Sequence, residues 1–291
     1  MSGSTCAVTG ANGFVGNNVV RRFQVLGWRV IALLRQPERV AAADIEARRF
    51  VLGDPVGPDL LAGVDVLVHA AYDFSLRNWA NICRVNVVGS EYLFDAAARA
   101  GVKRQIFISS MAAFEGCRSD YGRGKLAAED SARIRGGAII RPGVIYSKEN
   151  GGIAAQIMTV ASKYPVIPMI GRGDYPFYTC HIDDLCDLII HMARADELPD
   201  GIPLAANASP VTLLRLAEMA RAGRLRVILS IPWRWVAAGL WMLERIGLRP
   251  AFRSDSVVSL VHSNPGVDFN AIKLPVQFRP FLPLSDYGVF G

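Results

Sequence analysis

The sequence predicts an α/β protein with a doubly wound parallel sheet. Three observations predict this fold class: short apolar runs alternate with amphipathic stretches through the first half, a glycine-rich turn follows the first run, and further glycines stand where helices should end. Strands that alternate with helices of about 10–15 residues usually pair in parallel through right-handed crossovers. We therefore expect helices to cover both faces of one sheet.

The elements of the first half follow from their apolar spacing and from the residues that interrupt it. The predicted strands are residues 6–8, 29–34, 64–70, 103–109 and 138–141, and the predicted helices are residues 16–26, 85–100 and 121–134. The second helix is the clearest, because apolar residues from Val85 to Ala96 repeat at helical spacing. Gly27 and Gly101 follow two of the helices, where glycine commonly ends a helix.

The character of the chain changes after residue 147. Prolines crowd the apolar stretches, the alternation of strands and helices becomes irregular, and the last residues are rich in Pro and Phe. We therefore expect a nucleotide-binding domain at residues 1–147 and a smaller substrate-binding lobe at residues 148–291, interleaved with the first.

An aromatic stretch at residues 231–243 lies in this second lobe. Arg234, Glu244 and Arg245 interrupt or follow it, so it is not expected to cross a bilayer. We expect a helix buried against the lobe. The alternatives are a cap over a hydrophobic substrate and a helix that rests on a membrane surface.

Length and composition agree with such a fold and exclude several classes of protein. The chain has 291 residues, of which 51% are hydrophobic and 20% charged. This is enough for a large core and too apolar for a disordered chain. The formal net charge of +6 suits an anionic ligand such as a dinucleotide, or a basic surface with no specific partner.

The cysteines and apolar segments predict a cytoplasmic protein. The five cysteines show no C-x-x-C spacing, which favours free thiols in a reducing compartment. The first residues lack the basic start and long apolar run of a signal peptide, and no uncharged apolar run reaches about 18 residues. We expect no transmembrane segment, no metal site and no nucleic-acid partner.

A turn rich in glycine separates the first strand from the first helix and predicts a phosphate-binding site. Gly10 permits a tight turn, Gly13 lets the backbone approach a pyrophosphate, and Gly16 lets the helix pack closely on the strand. Free N–H groups at the start of the helix favour an anion. The candidate cofactor contacts in this turn are Gly10, Asn12, Gly13, Phe14, Val15 and Gly16.

The G-x-x-G-x-x-G spacing of this turn resembles that of the short-chain dehydrogenase/reductase superfamily, in its extended branch of NAD(P)-dependent epimerases, dehydratases and reductases. The resemblance extends over nearly the whole chain, with its clearest motifs between residues 5 and 190. It implies a Rossmann-type fold, a nicotinamide cofactor and oxidoreductase or epimerase chemistry. Dimers are common in the family, so a homodimer is an expectation.

The end of the second predicted strand indicates which dinucleotide is used. An NAD site usually places a carboxylate there to accept hydrogen bonds from the ribose 2′-hydroxyl. This strand ends instead in Arg35, whose guanidinium can bind a 2′-phosphate. We therefore expect NADP, with NAD possible if Arg35 is only a solvated residue.

The resemblance implies further cofactor contacts. Gly53-Asp54 resembles a Gly-Asp pair whose acid meets the adenine amino group, although a turn aspartate would look the same. His69-Ala70-Ala71 resembles the family's His-x-Ala-Ala, in which small residues make room for the cofactor and the histidine is more often structural. The segment that starts at Arg141 resembles a motif whose backbone faces the nicotinamide, which implicates Pro142 and Val144.

Tyr121 and Lys125 predict a proton-transfer centre. They stand four residues apart at the start of a predicted helix and so share one face. A phenol is a poor base at neutral pH, but a nearby ammonium favours the phenolate and lowers the phenol's pKa. Lys125 can also hydrogen-bond the hydroxyls of the nicotinamide ribose. The resemblance adds Asn86, whose amide in the family carries a water chain toward the lysine.

A serine pair at the end of a strand supplies the candidate hydroxyl that polarises a carbonyl. Counting forward from Ser109-Ser110 to the family pattern selects Ser110, whereas counting back from Gly116 selects Met111. We choose Ser110 because the role needs a hydroxyl.

The segment His181-Ile182-Asp183-Asp184 resembles a family motif that anchors a helix. We expect Asp183 or Asp184 to be the N-cap of that helix. A metal cluster of these residues is the less favoured alternative, because no partner ligand has suitable spacing.

The predicted reaction is hydride transfer to or from a substrate, with Tyr121 moving the proton. A nucleotide-linked sugar is the favoured substrate, by resemblance only. The alternatives are a nucleotide-sugar epimerase that retains NAD, a non-catalytic nucleotide-binding subunit, and a reductase of a lipophilic ketone, which the tryptophan-rich stretch suggests. Dehydration is disfavoured because Met111-Ala112 stand where the family's dehydratases carry an acid pair.

Overall fold

The structure of the protein is a computed structural model, which describes residues 3–39, 45–147, 166–221, 227–248, 250 and 252–281. Its strands are β1 (Thr5–Thr9), β2 (Arg29–Leu34), β3 (Glu46–Arg49), β4 (Val66–His69), β5 (Arg104–Ile108), β6 (Ala138–Pro142), β7 (Val144–Tyr146), β8 (Val166–Ile170), β9 (Pro176–Phe177), β10 (Thr179–His181), β11 (Leu204–Ala205), β12 (Val211–Thr212) and β13 (Val227–Ile231).

The helices lie between these strands and at the C-terminal side. They are α1 (Phe14–Val25), α2 (Trp79–Ile82), α3 (Val88–Arg99), α4 (Asp120–Ile134), α5 (Ile182–Arg194), α6 (Leu213–Arg221), α7 (Trp233–Arg245) and α8 (Ser254–Val261). A π-helical turn (Cys83–Val87) joins α2 to α3, and short 3-10 helices occur at Pro37–Arg39 and Pro58–Leu61.

The main sheet confirms the predicted doubly wound architecture. Within the described residues it has seven parallel strands in the order β11-β6-β5-β4-β1-β2-β3. The order reverses at β1, and in such sheets ligands bind outside the carboxyl ends of the strands at this switch point. The β11 strand, which follows residue 147, pairs with β6 at one edge of the sheet. The division into two interleaved units at residue 147 stays a prediction.

Two apolar clusters sandwich the sheet. One contains Val19 and Phe23 of α1 with Leu185 and Ile189 of α5, and the other contains helix side chains such as Phe94 of α3. Central strands such as β1 are buried along their whole length because both faces are covered, which explains their continuous apolar runs.

Three differences from the sequence predictions have physical reasons. The β3 strand was not predicted, because Glu46–Arg49 is a short charged strand at the sheet edge, paired only with β2 within the described residues. The helix predicted at residues 85–100 starts earlier and passes through the π-helical turn. The N-cap of α5 is His181, whose Nδ1 accepts from the Asp183 N–H at 3.2 Å, so the expectation of an aspartate cap was wrong.

The tryptophan-rich stretch also departs from its expected packing. It begins at the last residue of β13 and continues into α7, in which no residue as a whole is buried. The expectation of a helix buried against the lobe was therefore wrong.

None of the helices in the described ranges is long and apolar enough to cross a membrane. The five cysteines are free thiols.

Candidate active site

The glycine turn between β1 and α1 has the geometry that a dinucleotide requires. Gly10 has a φ of 64°, and the Gly13 N–H donates to the Gly10 carbonyl at 2.8 Å. A Cβ added to Gly16 would lie 2.2 Å from that same carbonyl oxygen, so a larger residue could not occupy the position without moving the turn. The roles of these glycines in binding a cofactor stay predictions.

The start of α1 leaves its N–H groups available to an anion. The N-cap is Gly13, which has no side chain to accept from them, and the first turn carries no acidic residue. A pyrophosphate would therefore meet backbone donors and the positive end of the helix dipole, with Phe14 and Val15 supplying the first N–H groups. The residues present fit a nicotinamide dinucleotide at this turn.

His69 lies at the end of β4, next to the glycine turn. Both of its ring nitrogens form hydrogen bonds within the protein. Its Nδ1 lies 2.7 Å from Thr9 Oγ1 and its Nε2 lies 2.8 Å from Ser90 Oγ. The Ser90 hydroxyl donates to the Asn86 carbonyl, so His69 Nε2 must donate to Ser90, and Nδ1 must accept from Thr9. Burial lowers the pKa of His69 to about 3, which keeps this neutral form. The ring has no nitrogen left for a ligand.

The same network fixes the alanines predicted to border the cofactor. Thr9 Oγ1 accepts from the N–H groups of Ala70 and Ala71, at 3.1 and 3.0 Å. A Cβ on Gly10 would lie 3.1 Å from the Ala71 Cα, so the two backbone segments run side by side at the carboxyl ends of β1 and β4. Small residues on both sides keep this edge of the sheet open to a ligand.

Asn86 holds the loop that follows β4. Its Oδ1 accepts from the Asp73 N–H at 2.7 Å, and its Nδ2 donates to the Asp73 carbonyl at 3.2 Å. Asn86 is buried in the π-helical turn, which brings its amide to this loop. In the structure the amide therefore positions backbone near the cleft.

Tyr121 lies in the first turn of α4, beside Ser110. The Ser119 hydroxyl caps this helix by accepting from the Gly122 N–H at 3.1 Å. Burial raises the pKa of the Tyr121 phenol, and a hydrogen bond with the Ser110 side chain partly offsets that rise. The structure thus brings Ser110 and Tyr121 together.

Lys125 is buried one helical turn after Tyr121. Its Nζ donates to the Ile108 carbonyl at 2.7 Å and lies 4.8 Å from the centre of the Phe107 ring. Burial lowers the pKa of Lys125 to about 7, against the opposing effect of Glu129. The expectation that this ammonium lowers the Tyr121 pKa was therefore wrong for this arrangement, because burial dominates both groups.

Two aromatic residues that the sequence analysis did not single out form a wall beside the phenol. The Tyr121 ring lies edge-on to Tyr72, with centroids 5.1 Å apart, and stacks on Phe74 at 5.5 Å. The Phe74 side chain is 55% exposed, so this ring of the wall faces solvent. The buried Tyr72 hydroxyl has no hydrogen-bond partner in the part of the chain described.

Asp255, at the start of α8, is a further residue that the sequence did not reveal. Its carboxylate accepts from the N–H groups of Asp120 and Tyr121, at 2.8 and 3.0 Å. It therefore fixes the backbone of the proton-transfer residue from a position far along the chain. No local motif marks it.

The remaining predicted cofactor contacts lie around the rim of the sheet. Arg35 is exposed just after β2, and Arg49 at the end of β3 directs Nη1 to the Arg35 carbonyl at 3.5 Å. Asp54 is exposed in the turn after Gly53. Pro142 is buried at the end of β6, with Val144 directly after it on β7. No group of three potential metal ligands occurs within the described ranges.

The sequence model of the NAD dependent epimerase/dehydratase family matches residues 6–203, which include the glycine turn, the serine pair, Tyr121 and Lys125.

The chain belongs to the NAD dependent epimerase/dehydratase family.

Relatives of this chain include a reductase and an epimerase. A ceramide reductase of Caulobacter vibrioides is 32% identical over 198 residues, covering 66% of this chain and 62% of that protein. Sterol demethylase protein B of Methylococcus capsulatus is 39% identical over 115 residues, covering 38% and 35%. The chain therefore spans less than two thirds of the length of these two relatives. A UDP-glucose 4-epimerase of Vibrio cholerae is 24% identical, covering 94% of this chain and 90% of that protein.

Solved structures of other proteins share the fold. MoeE5 in complex with UDP-glucuronic acid and NAD has a TM-score of 0.68 and 20% identity, covering 79% of this chain and 86% of that one. A short-chain dehydrogenase/reductase superfamily protein from Agrobacterium tumefaciens with bound NAD has a TM-score of 0.64 and 18% identity, covering 87% and 94%. The predicted resemblance to the extended branch of that superfamily is confirmed.

The matching family is named for NAD-dependent epimerases and dehydratases, and the relatives of this chain include a ceramide reductase and a UDP-glucose 4-epimerase.

Proposed function

We propose that the protein is an NADPH-dependent reductase that acts on a ketone in a lipophilic substrate. The observation that carries this proposal is the aromatic wall beside the proton-transfer residue, where Phe74 and Tyr72 pack on the Tyr121 ring. Aromatic rings on the open side of a cleft favour a hydrocarbon substrate over a sugar, whose hydroxyls need polar partners. The sequence analysis favoured a nucleotide-sugar; the wall supports its lipophilic alternative instead.

The names of several relatives support this substrate class. Besides the ceramide reductase and the sterol demethylase protein B, a ketoreductase of Stigmatella aurantiaca is named for a farnesyl quinoline oxide and is 26% identical over 239 residues. A dTDP-4-dehydro-6-deoxy-D-allose reductase of Streptomyces bikiniensis, 26% identical over 291 residues, keeps a nucleotide-sugar as the second candidate.

The state of Tyr121 favours reduction. Because burial raises its pKa, the phenol is protonated at neutral pH and can donate its proton to a ketone oxygen. Ser110, in hydrogen-bonding contact with the phenol, would donate to the same oxygen and then stabilise the phenolate that remains. The buried Lys125 would hold the ribose hydroxyls and return a proton toward Tyr121.

NADPH, when bound, supplies the hydride. The turn from Gly10 to Gly16 would hold its pyrophosphate, as argued above from the shape of the turn. Ala70 and Ala71 would border its ribose, Asp54 its adenine, and the backbone after Pro142 its carboxamide. Asn86 would support the site by holding the Asp73 loop.

The preference for NADPH rests on two guanidinium groups at the rim. Arg35 and Arg49 end neighbouring parallel strands with no carboxylate at the end of β2, a setting that suits the 2′-phosphate. We expect Arg35→Ser to raise the KM for NADPH about tenfold, or more, and to leave the KM for NADH within about twofold. Arg21→Ser, at an exposed arginine of α1, is the control. An unchanged KM for NADPH would remove Arg35 from this role.

The function is tested by following NADPH absorbance with a panel of lipophilic ketones and keto-sugar nucleotides. We expect turnover with a lipophilic ketone and at least a 10³-fold loss of kcat in Tyr121→Phe, about the scale of general acid catalysis. Tyr92→Phe, a half-exposed tyrosine of α3, should retain wild-type rates.

Each other outcome selects a different function. Turnover of keto-sugar nucleotides alone would show that the protein is a nucleotide-sugar reductase. An isomerised sugar product without loss of NADPH would identify an epimerase. No turnover, with full cellular function in Tyr121→Phe, would indicate a non-catalytic nucleotide-binding subunit. A homodimer and a cytoplasmic location belong to this proposal as sequence-based expectations.

A further inference from the structure

The α7 helix presents its apolar stripe to solvent. Trp235, Met242 and Ile246 are 74%, 63% and 69% exposed, and their spacing places them on one face of the helix and its last turn. Trp241, Leu243 and Leu248 are also exposed nearby. A helix of a globular domain normally turns such a stripe toward the core. We call these six residues the α7 patch.

The opposite side of α7 is held firmly, so the outward direction of the patch is fixed by contacts. Glu244 forms an ion pair with Arg77 at 3.1 Å and accepts from the N–H and the hydroxyl of Ser254, at 3.0 and 2.8 Å. Trp233 packs edge-on against His262, with centroids 5.5 Å apart. The helix therefore cannot turn its patch inward without breaking a half-buried ionic network.

Positive charge flanks the patch. Arg245 lies over the ring of Trp241, a residue of the patch, at 4.7 Å, and Arg234 precedes Trp235 of the patch and lies over the Trp233 ring at 5.6 Å. The segment from residue 233 to 253 contains Arg234, Arg245, Arg249 and Arg253 against the single acid Glu244. That acid is already paired with Arg77.

We propose that the α7 patch binds the surface of a bilayer that contains anionic lipids. Helices that lie in the membrane interface combine an apolar face, tryptophans at the headgroup level and basic residues that meet lipid phosphates. The α7 patch and the arginines beside it supply all three. Its binding energy would come from burial of apolar area and from attraction of the flanking arginines to the anionic surface.

A second copy of the chain is the less suitable occupant. A two-fold contact through the patch would bring the arginine-rich flanks of both copies together, with no free carboxylate of α7 to balance them. An anionic bilayer supplies the opposite charge without this conflict.

The position of the patch connects it to the catalytic helix. The Arg253 Nη2 donates to the Leu76 carbonyl at 3.1 Å, near Phe74 of the aromatic wall, and Asp255 holds the Tyr121 backbone. The α7 helix packs on α8, and α8 packs on the helix that carries Tyr121, so a bilayer bound at α7 would lie one helix away from the proton donor. Delivery of a lipophilic ketone from that bilayer rests on the proposed function; bilayer binding itself does not.

The test is flotation of the full chain with phosphatidylcholine vesicles that contain or lack phosphatidylglycerol. We expect binding to the anionic vesicles, with a blue shift of tryptophan fluorescence, and weaker binding in high salt because the charges are screened. Arg234→Gln/Arg245→Gln should weaken the partition about thirtyfold, because two surface arginines that attract the anionic lipids are lost. Trp235→Ser/Met242→Ser should weaken it on all vesicles.

The controls separate this inference from folding and from the proposed function. Arg21→Gln/Arg194→Gln removes two exposed arginines elsewhere and should float as the wild type does. Each variant's thermal melt and its NADPH affinity should match the wild type. Vesicle binding without turnover of any ketone would contradict the proposed function and would still support bilayer binding by the α7 patch. No flotation, or a dimer by light scattering that Trp235→Ser/Met242→Ser disperses, would overturn bilayer binding.

Discussion

Lys125 shows how one buried side chain links stability to pH. Its ammonium is enclosed by the Phe107 and Tyr72 rings, with the Ile108 carbonyl as its hydrogen-bond acceptor. Burial lowers its pKa from 10.5 to about 7. Between these two values the unfolded chain binds a proton that the folded chain does not, so folding becomes more favourable as pH rises.

We expect the free energy of unfolding to rise between pH 7 and 9, by up to about 1.4 kcal/mol per pH unit from this group. Urea unfolding at several pH values measures it. Lys125→Met should remove most of the slope, whereas Lys103→Met, at an exposed lysine, should leave it. Equal slopes in wild type and Lys125→Met would show that the Lys125 pKa is not depressed.

The residues that the sequence predicted share one property. Each is marked by a pattern within a few neighbouring residues of the chain. The glycine turn, Ser110 and the Tyr121-Lys125 pair are recognisable because a turn, a strand end or one helical turn defines them. Tyr72 and Asp255 could not be found in this way, since their contacts with Tyr121 depend on how separate segments meet. The reversal of the expected Tyr121 pKa has the same origin, because burial is a tertiary property.

At the scale of elements, the parallel strands were predictable because both of their faces are covered and their runs are therefore continuously apolar. The β3 strand lacked that signal because it is a charged edge strand. The α7 helix carried an amphipathic signal, yet its apolar side faces outward. Amphipathicity predicts a helix but leaves open what covers its apolar face.

The contact of α1 with the glycine turn gives an element-scale prediction. Gly16→Ala places a Cβ 2.2 Å from the Gly10 carbonyl oxygen and 2.6 Å from its carbon, so the turn must move. We expect a loss of about 1–3 kcal/mol in stability, typical of overpacking, and the loss of measurable NADPH binding.

Gly239→Ala is the matched control, because nothing lies within 4 Å of its added Cβ inside α7. It should stabilise the protein by up to about 1 kcal/mol through helix propensity. Thermal unfolding and cofactor fluorescence titration compare the two. Normal NADPH affinity in Gly16→Ala would show that the turn tolerates the displacement.

At the scale of the whole molecule, a C-terminal segment crosses both predicted units. Leu274, Val276 and Phe278 pack against the core cluster that contains α1 and α5. Asn207 donates to the Phe278 carbonyl at 2.7 Å, and Tyr146 donates to the Pro280 carbonyl at 3.2 Å. The segment thus joins the sheet, the α5 helix and the region after β11.

The Arg279–Asp184 contact anchors this segment and can be tested by mutation. Asp184 is buried and accepts from both the backbone N–H and the guanidinium of Arg279. Arg279→Ala removes the guanidinium from a buried carboxylate, and we expect a loss of about 2 kcal/mol in urea unfolding. Arg215→Ala, whose pair with Glu218 is exposed, should lose less than about 0.5 kcal/mol. Equal losses would mean that the segment is not anchored there.

The hold of Asp255 on the backbone of Tyr121 has a consequence for synthesis on the ribosome. A nascent chain that has emerged as far as residue 221 already contains every strand described for the main sheet. The N–H groups of Asp120 and Tyr121, however, have no acceptor from Asp255 until that residue has been synthesised. Full competence should therefore appear late in translation, and chains that terminate before residue 255 should bind dinucleotide better than they turn over substrate.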